Sequence, residues 1–307
     1  RANVRLLANS PAAIIDALRL SRGMSYKNAM AGLPLGGGKG VVLASSARTK
    51  TPEMLAAFGR AIESLGGRYV TAEDVGMSDA DMVTISGATK YVSGLPVTNG
   101  SAAGGDPGPF TARGVFLGIK AAAAHRLGVD SMAGVHVAVQ GVGSVGGGVA
   151  RLLAAEGAKL TLADIDAAKC GALASELGAD IARLDDIMTV KSDIFSPNAL
   201  GAILTEQSIA ALDCAIVAGG ANNQMATPAD AQRVHDRGIL YAPDYVINAG
   251  GIINVGLEYI GNVTVDEVNQ RINLIPGRLG DIWTTSEADN VPAAIVADKM
   301  AQKLIGR

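Results

Sequence analysis

The chain has 307 residues, of which 49% are hydrophobic and 18% charged, with a net charge of −3. That length allows two domains of ordinary size and that apolar content a substantial core, which excludes a disordered chain. The slight acidity leaves no basic footprint for nucleic acid or an anionic membrane surface, and no apolar run approaches the roughly 18 to 20 residues of a membrane span.

In chain order, Ser10-Pro11 suits a helix cap and first turn, and the apolar spacing predicts a helix over 12–24. A glycine-rich turn, Leu35-Gly36-Gly37-Gly38-Lys39-Gly40, leads into Val41-Val42-Leu43, which reads as a short strand. Thr51 to Leu65 reads as a helix, with Pro52 in its first turn and Leu55, Phe58 and Ile62 at helical spacing, ended by Gly66-Gly67. Arg68 to Ala72 reads as a strand with Glu73-Asp74 at its carboxyl end. Five glycines and three prolines between Ser93 and Pro109 mark the expected crossing between domains. A helix over 111–127 follows, and then strand and helix alternate through Ile181 to Ile194, Cys214 to Val217 and Ile239 to Tyr241. Such alternation points to a parallel sheet covered by helices. The tail from Ala288 is helical in pattern and is expected to pack back onto the first domain.

Within that alternation, Gly141-Val142-Gly143-Ser144-Val145-Gly146 stands between the apolar run 135–139 and a helical stretch starting at Val149. A second apolar run, 159–163, ends on Asp164, 23 residues after Gly141. This is a dinucleotide fingerprint in its proper context. The first Gly permits the tight turn, the second lets backbone approach a pyrophosphate, the third lets helix and strand pack closely, and the acid suits a ribose diol. Because Asp164 would repel a 2′-phosphate, NAD is the expected cofactor.

The reaction must be carried by the first hundred residues. Lys39 follows three glycines, and Lys27 lies 12 residues earlier. Two ammonium groups sharing one partly buried cleft would push a lysine toward neutrality, and such a lysine can act as a base, whereas an isolated lysine is ordinarily a solvated charge. Asp74 suits either a proton shuttle or a cap for the helix around Ser78. Glu73 is as ambiguous and is assigned no role. Thr111 reads locally as an N-cap, and Asp106 as turn chemistry beside Pro107. Cys170 and Cys214 have neither C-x-x-C spacing nor a nearby His, so they read as buried free thiols, with no metal site and no disulfide framework. With no signal peptide at the start, a cytoplasmic location is expected.

The set formed by Ser21 to Asn28, Leu35 to Lys39, Thr71-Ala72-Glu73-Asp74-Val75-Gly76, Gly105-Asp106-Pro107 with Thr111, and Ala242 to Gly251 resembles the glutamate/leucine/phenylalanine/valine dehydrogenase family, nearest to its leucine-acting members. The resemblance covers nearly the whole chain. It implies an α/β substrate domain over 1–108, joined by the helix over 286–307, and a Rossmann-type doubly wound NAD-binding domain over 109–285, with a cleft between them. It also implies that a few tens of residues precede Arg1 in the whole protein. Carried over residue by residue, Lys27 would bind the α-carboxylate, Lys39 would be the catalytic lysine and Asp74 would pass protons to and from the amino nitrogen. Thr111 and Asn248 would hold the nicotinamide end near the substrate. The stretch Gly141, Val142, Gly143, Ser144, Val145, Gly146 would cradle the pyrophosphate, Asp164 with Ile165 beside it would take the adenosine ribose, and Ala221-Asn222 would lie along the cofactor.

The implied reaction is reversible oxidative deamination of an amino acid to a 2-oxo acid and ammonia, by a homo-oligomer. Glutamate-acting members place a Ser where Val255 stands, and phenylalanine-acting members tend toward other residues that leave more room. Ala72, Ile252 and Val255 therefore suggest a compact aliphatic pocket for leucine, valine and isoleucine. Ser192 and Asn198 depart from the Cys often found in the leucine-acting members, and Met77 from a Thr. Alternatives to this expectation are a phenylalanine dehydrogenase, a non-catalytic sensor of nucleotide and amino acid, and a structural subunit of an oligomer.

Overall fold

The computed structural model describes residues 10–42, 50–74, 77–96, 103–261 and 263–306. Leu43 of the expected strand, Val75 and Gly76 of the acidic motif, and 97–102 of the expected crossing lie outside them. The chain divides into two compact units, Arg1–Pro107 with Ile252–Asn269, and Gly108–Gly251 with Gln270–Arg307.

The first unit contains α1 (Ser10–Met30), α2 (Pro52–Glu63), β1 (Thr71–Ala72), α3 (Asp79–Ser86) and β2 (Val92–Ser93). Thr51 caps α2 by accepting the Met54 N–H at 3.2 Å, and Pro52 takes the first turn, where its missing N–H costs nothing. Leu55 on α2 meets Met82 and Ile85 on α3 and Val92 on β2 in a small core, with Phe58, Met77 and Leu95 packed against it. A reciprocal box between Ser78 and Asp81 starts α3. Ser78 is therefore the cap of that helix, and Asp74 is not. β1 and β2 pair in parallel, Thr71 opposite Val92 and Ala72 opposite Ser93. The expected strand at Val41-Val42 does not form, because a strand needs a ladder partner and none lies beside these two among the described residues.

The second unit begins with α4 (Gly108–Leu127), so Thr111 lies inside the first turn of that helix and is not its N-cap. There follow β3 (His136–Gln140), α5 (Ser144–Ala155), β4 (Lys159–Ala163), α6 (Ala167–Leu177), β5 (Asp180–Ile181), β6 (Ile194–Pro197), α7 (Glu206–Ala211), β7 (Ile216–Val217), α8 (Ala229–Asp236), β8 (Leu240–Tyr241) and α9 (Asp244–Ile247). Next, α10 (Gly250–Ile260) and α11 (Val265–Ile272) lead largely through the first unit, and α12 (Ile275–Asp289) and α13 (Ala293–Leu304) end the second.

Among the described residues the sheet of this unit has six strands, all parallel, in the order β5-β4-β3-β6-β7-β8. The chain runs outward from β3 to one edge and then restarts beside β3 toward the other. This is the doubly wound arrangement, and right-handed crossovers put the connecting helices on opposite faces. The central strands are buried on both faces, with Val137, Ala138, Val139, Ile194 and Phe195 at 1% exposure or less, which is why they read as continuous apolar runs.

The carboxyl-terminal helix differs from its expected place. α13 packs on α12, α8 and β8 inside the second unit, burying Ala293, Val296, Ala297 and Ala301. The Tyr245 hydroxyl on α9 donates to Asp298 on α13 at 2.9 Å, tying the two together. It is Ile252–Asn269 that joins the first unit instead.

Candidate active site

In the first unit the glycine-rich turn is pressed onto α1. A Cβ at position 37 would run into the Ser21 carbonyl and the Ser25 hydroxyl, and one at position 38 into the Tyr69 ring, so only glycine allows this approach. The Asn28 amide, at 4% exposure, donates to the Gly36 carbonyl at 2.5 Å and pins the turn from beneath. Lys39 is thereby delivered to Asp74 at the end of β1, and its ammonium pairs with the Asp74 carboxylate. The lysine is only 23% exposed. Burial, reinforced by the charge of Lys27, lowers its pKa from 10.5 to about 8. The Lys39–Asp74 contact holds the side chain in place without offsetting that loss of solvation.

Lys27, Lys39 and Asp74 are thus brought together as expected. Beside them, burial and then the carboxylates of Asp79 and Asp106 push Glu73 above the usual carboxylate range. Ala72 stands half-buried at the end of β1, and Val255 is buried on α10, with Ile252 half-buried one turn earlier. Replacing Asn28 with Ala removes the bond to Gly36, with an expected cost of about 1 kcal/mol in urea unfolding and a fall of about tenfold in turnover as Lys39 loses its support.

In the second unit the fingerprint turn lies at the carboxyl end of β3, beside β6, where the strand order reverses. Open α/β sheets bind ligands at this point. Gly146 packs so closely under the turn that a Cβ there would strike the Gly141 carbonyl oxygen, whereas nothing lies within 4 Å of a Cβ on Gly143. Gly143 is also the N-cap of α5 and offers no side chain to its first N–H groups. Open backbone in front of uncapped N–H groups fits an anion such as a pyrophosphate. Asp164, directly after β4, accepts the Val142 N–H at 2.6 Å and the Asp166 N–H at 2.9 Å, and Ile165 next to it is 80% exposed.

Across the same end of the sheet, the Asn248 amide donates to the Gly220 carbonyl at 3.1 Å and to the Asn222 side-chain oxygen at 2.8 Å, beside buried Ala221. Its own oxygen, buried at a residue only 4% exposed, has no partner among the described residues. A buried acceptor without a donor is costly unless a ligand supplies one. Two residues on, a Cβ at position 250 would lie 3.1 Å from the Thr111 nitrogen, so the Asn248 segment and Thr111 are neighbours. These features fit a nicotinamide dinucleotide on their own geometry.

Asn198 emerges as a support that the sequence did not reveal. Its oxygen accepts the Gly220 N–H at 2.8 Å, its amide donates to the Ser196 carbonyl and hydroxyl at 3.0 Å each, and its Cβ backs Gly146. Only its place just past β6 signals this, since the partner in the facing loop lies 22 residues on.

A doubly wound sheet with an open fingerprint turn, together with a depressed-pKa lysine on a carboxylate, defines a dinucleotide-dependent enzyme that moves protons at its substrate. Two family models match the chain, "Glu/Leu/Phe/Val dehydrogenase, dimerisation domain" over 4–91 and "Glutamate/Leucine/Phenylalanine/Valine dehydrogenase" over 175–302. It is 44% identical to the leucine dehydrogenase of Bacillus subtilis (strain 168), over 97% of this chain and 81% of that protein. It is 40% identical to the valine dehydrogenase of a Streptomyces albus strain, over 96% and 81%. The crystal structure of L-tryptophan dehydrogenase from Nostoc punctiforme superposes with a TM-score of 0.83 at 40% identity, over 97% of this chain and 84% of that one. The chain belongs to the glutamate/leucine/phenylalanine/valine dehydrogenase family and is an amino-acid dehydrogenase that uses a nicotinamide nucleotide.

Proposed function

We propose that the enzyme reversibly deaminates apolar L-amino acids, leucine, valine and isoleucine foremost, to the 2-oxo acid and ammonia, with NAD. The observation that carries the reading is Lys39, half-buried against Asp74 with a pKa lowered to about 8. Lys27 holds the substrate α-carboxylate as a point charge. The bound nicotinamide supplies the hydride acceptor for the α-carbon. Neutral Lys39 takes a proton from the water that attacks the resulting iminium carbon, and Asp74 carries protons to the departing amino nitrogen. Thr111 and Asn248 orient the nicotinamide end, and the buried Asn248 oxygen accepts a ligand donor. The fingerprint N–H groups take the pyrophosphate, Ala221-Asn222 flank the cofactor, and exposed Ile165 offers an apolar surface next to the ribose site.

Asp164 favours NAD, since a 2′-phosphate would meet its carboxylate. Val255 and Ile252 favour aliphatic side chains, because a carboxylate set against buried Val255 would be left unpaired. The relatives named for leucine, valine and tryptophan fit an apolar pocket. We further place the protein in the cytoplasm, which its two unpaired thiols suit, as a homo-oligomer, in keeping with the dimerisation description of the first family model.

The test is reduction of NAD or NADP at alkaline pH with leucine, valine, isoleucine, phenylalanine, tryptophan and glutamate. The aliphatic substrates with NAD should lead, with glutamate at least about 100-fold below them in kcat/KM, the effect of about 3 kcal/mol for an unpaired buried carboxylate. Phenylalanine or tryptophan above leucine overturns the pocket reading, and preference for NADP overturns the role of Asp164.

A further inference from the structure

The wall that carries Val255 is held by a carboxylate outside the catalytic set. On α10, one turn after Val255, the Glu258 side chain accepts the Ser93 hydroxyl at 2.8 Å, the Gly94 N–H at 2.7 Å and the Leu95 N–H at 3.3 Å. Three donors from three consecutive residues converge on one carboxylate, and among the described residues no cation pairs with it. The Ser93 hydroxyl also lies 2.6 Å from the Val255 carbonyl oxygen. A turn earlier on the same helix, fully buried Asn254 accepts the Gly104 N–H and donates to the Gly104 carbonyl, both at 2.9 Å, while Gly105 donates to Leu95 at 3.1 Å. The segment leaving β2 is therefore gripped at two points by α10.

That segment is the pocket's ruler. Ser93 is the ladder partner of Ala72, and Gly94, with φ +77°, lies next to Glu73. A Cβ at position 94 would lie 3.4 Å from the Glu73 nitrogen and 3.9 Å from Val255 Cγ1. Gly94 thus spaces the apolar wall from the strand end that bears Ala72 and Asp74. Backbone N–H groups fix an acceptor more rigidly than mobile side chains do, and a displacement of an ångström at such a spacing changes rates about 100-fold.

We infer that Glu258 is a positioning residue for substrate selection: by clamping Ser93, Gly94 and Leu95 to α10, it sets the distance between Val255 and Ala72 and hence which amino-acid side chain the pocket takes. The inference rests on the proposed reaction and adds a determinant that touches neither substrate nor cofactor. Gln at this position keeps one acceptor oxygen but turns an NH2 toward a donor, so it preserves part of the clamp. Ala removes it.

The experiment compares the parent protein with Glu258→Ala, Glu258→Gln and Ser93→Ala, measuring kcat and KM for leucine, valine and phenylalanine beside thermal unfolding. In Glu258→Ala, KM for leucine should rise about tenfold with a smaller change in kcat, and the leucine-to-phenylalanine ratio of kcat/KM should fall about tenfold, the scale of one methylene in an apolar pocket. Glu258→Gln and Ser93→Ala should fall between, which keeps the test alive if the alanine variant fails to fold. An active parent whose folded variants keep the same KM and substrate ratio, whatever their melting points, overturns the inference alone. A parent that deaminates none of the three overturns the functional reading and the inference with it.

Discussion

Alanine in place of Lys39 lowers kcat for leucine deamination by about 10² to 10⁴, the ordinary contribution of a positioned base. The pH profile makes the assignment specific. Burial and Lys27 bring the Lys39 pKa down from 10.5 to about 8, so the ammonium dominates below that pH and the neutral amine above it. Deamination needs the neutral amine, so kcat/KM rises tenfold per pH unit below about 8 and levels off above it. The reverse reaction needs the protonated form and has the opposite slope. Lys39→Arg keeps the charge and the ion pair with Asp74 but cannot deprotonate in this range, so it loses as much activity as the alanine variant. If the lysine were only an anchor for Asp74, arginine would restore most of the rate and the pH slope would remain.

Two glycines of the fingerprint should respond in opposite ways. A Gly→Ala change inside a helix ordinarily stabilises by up to about 1 kcal/mol. At Gly146 the sign reverses, because the new Cβ strikes the Gly141 carbonyl of the turn itself and comes within 2.9 Å of the Cβ of Asn198, which backs the turn from just past β6. Gly146→Ala is expected to lower the melting temperature and to weaken NAD binding by about 100-fold, as α5 and the turn part by a fraction of an ångström. At Gly143 a Cβ meets nothing, and its φ of −65° suits any residue. Gly143→Ala should keep the parent melting temperature and still lose NAD affinity, since the methyl group fills the space left for the pyrophosphate. Calorimetric titration with NAD beside thermal unfolding separates the two. Unchanged NAD affinity in Gly143→Ala would remove the pyrophosphate from this turn.

Legibility in the sequence followed the range of the forces involved. The β3-α5-β4 segment was readable because its signals are local: an apolar run, three glycines at fixed spacing, a helical stripe and an acid at the next strand end. α2 was readable for the same reason, from Pro52 and the Leu55, Phe58, Ile62 stripe. The strand read over Arg68 to Ala72 forms only as Thr71–Ala72, and β2 was not readable at all, since a strand of two residues is defined by its partner and not by its own periodicity. Val41-Val42 shows the converse, with the composition of a strand and no ladder beside it among the described residues. α13 was correctly helical in pattern but misplaced, because an amphipathic stripe does not say which surface it covers.

The same division holds in the site. Lys27, Lys39 and Asp74 stand in motifs whose roles the family resemblance made visible, whereas the fingerprint residues are marked by their own spacing. Asn28, Asn198 and Glu258 do their work through partners 8, 22 and roughly 160 residues away, and nothing adjacent to them in sequence marks it. The capping alternative for Asp74 was reasonable on local grounds and fails only because Ser78 already fills that role.

A half-buried lysine in its neutral form drives deamination of an apolar amino acid in the proposed reaction. The most direct test is the pH dependence of kcat/KM for leucine with NAD, measured from pH 6 to pH 10 in the parent and in Lys39→Arg. A unit slope that bends near pH 8 is expected in the parent, and a residual rate without that bend in the variant. A flat parent profile, or the same bend in both proteins, would contradict that role of Lys39.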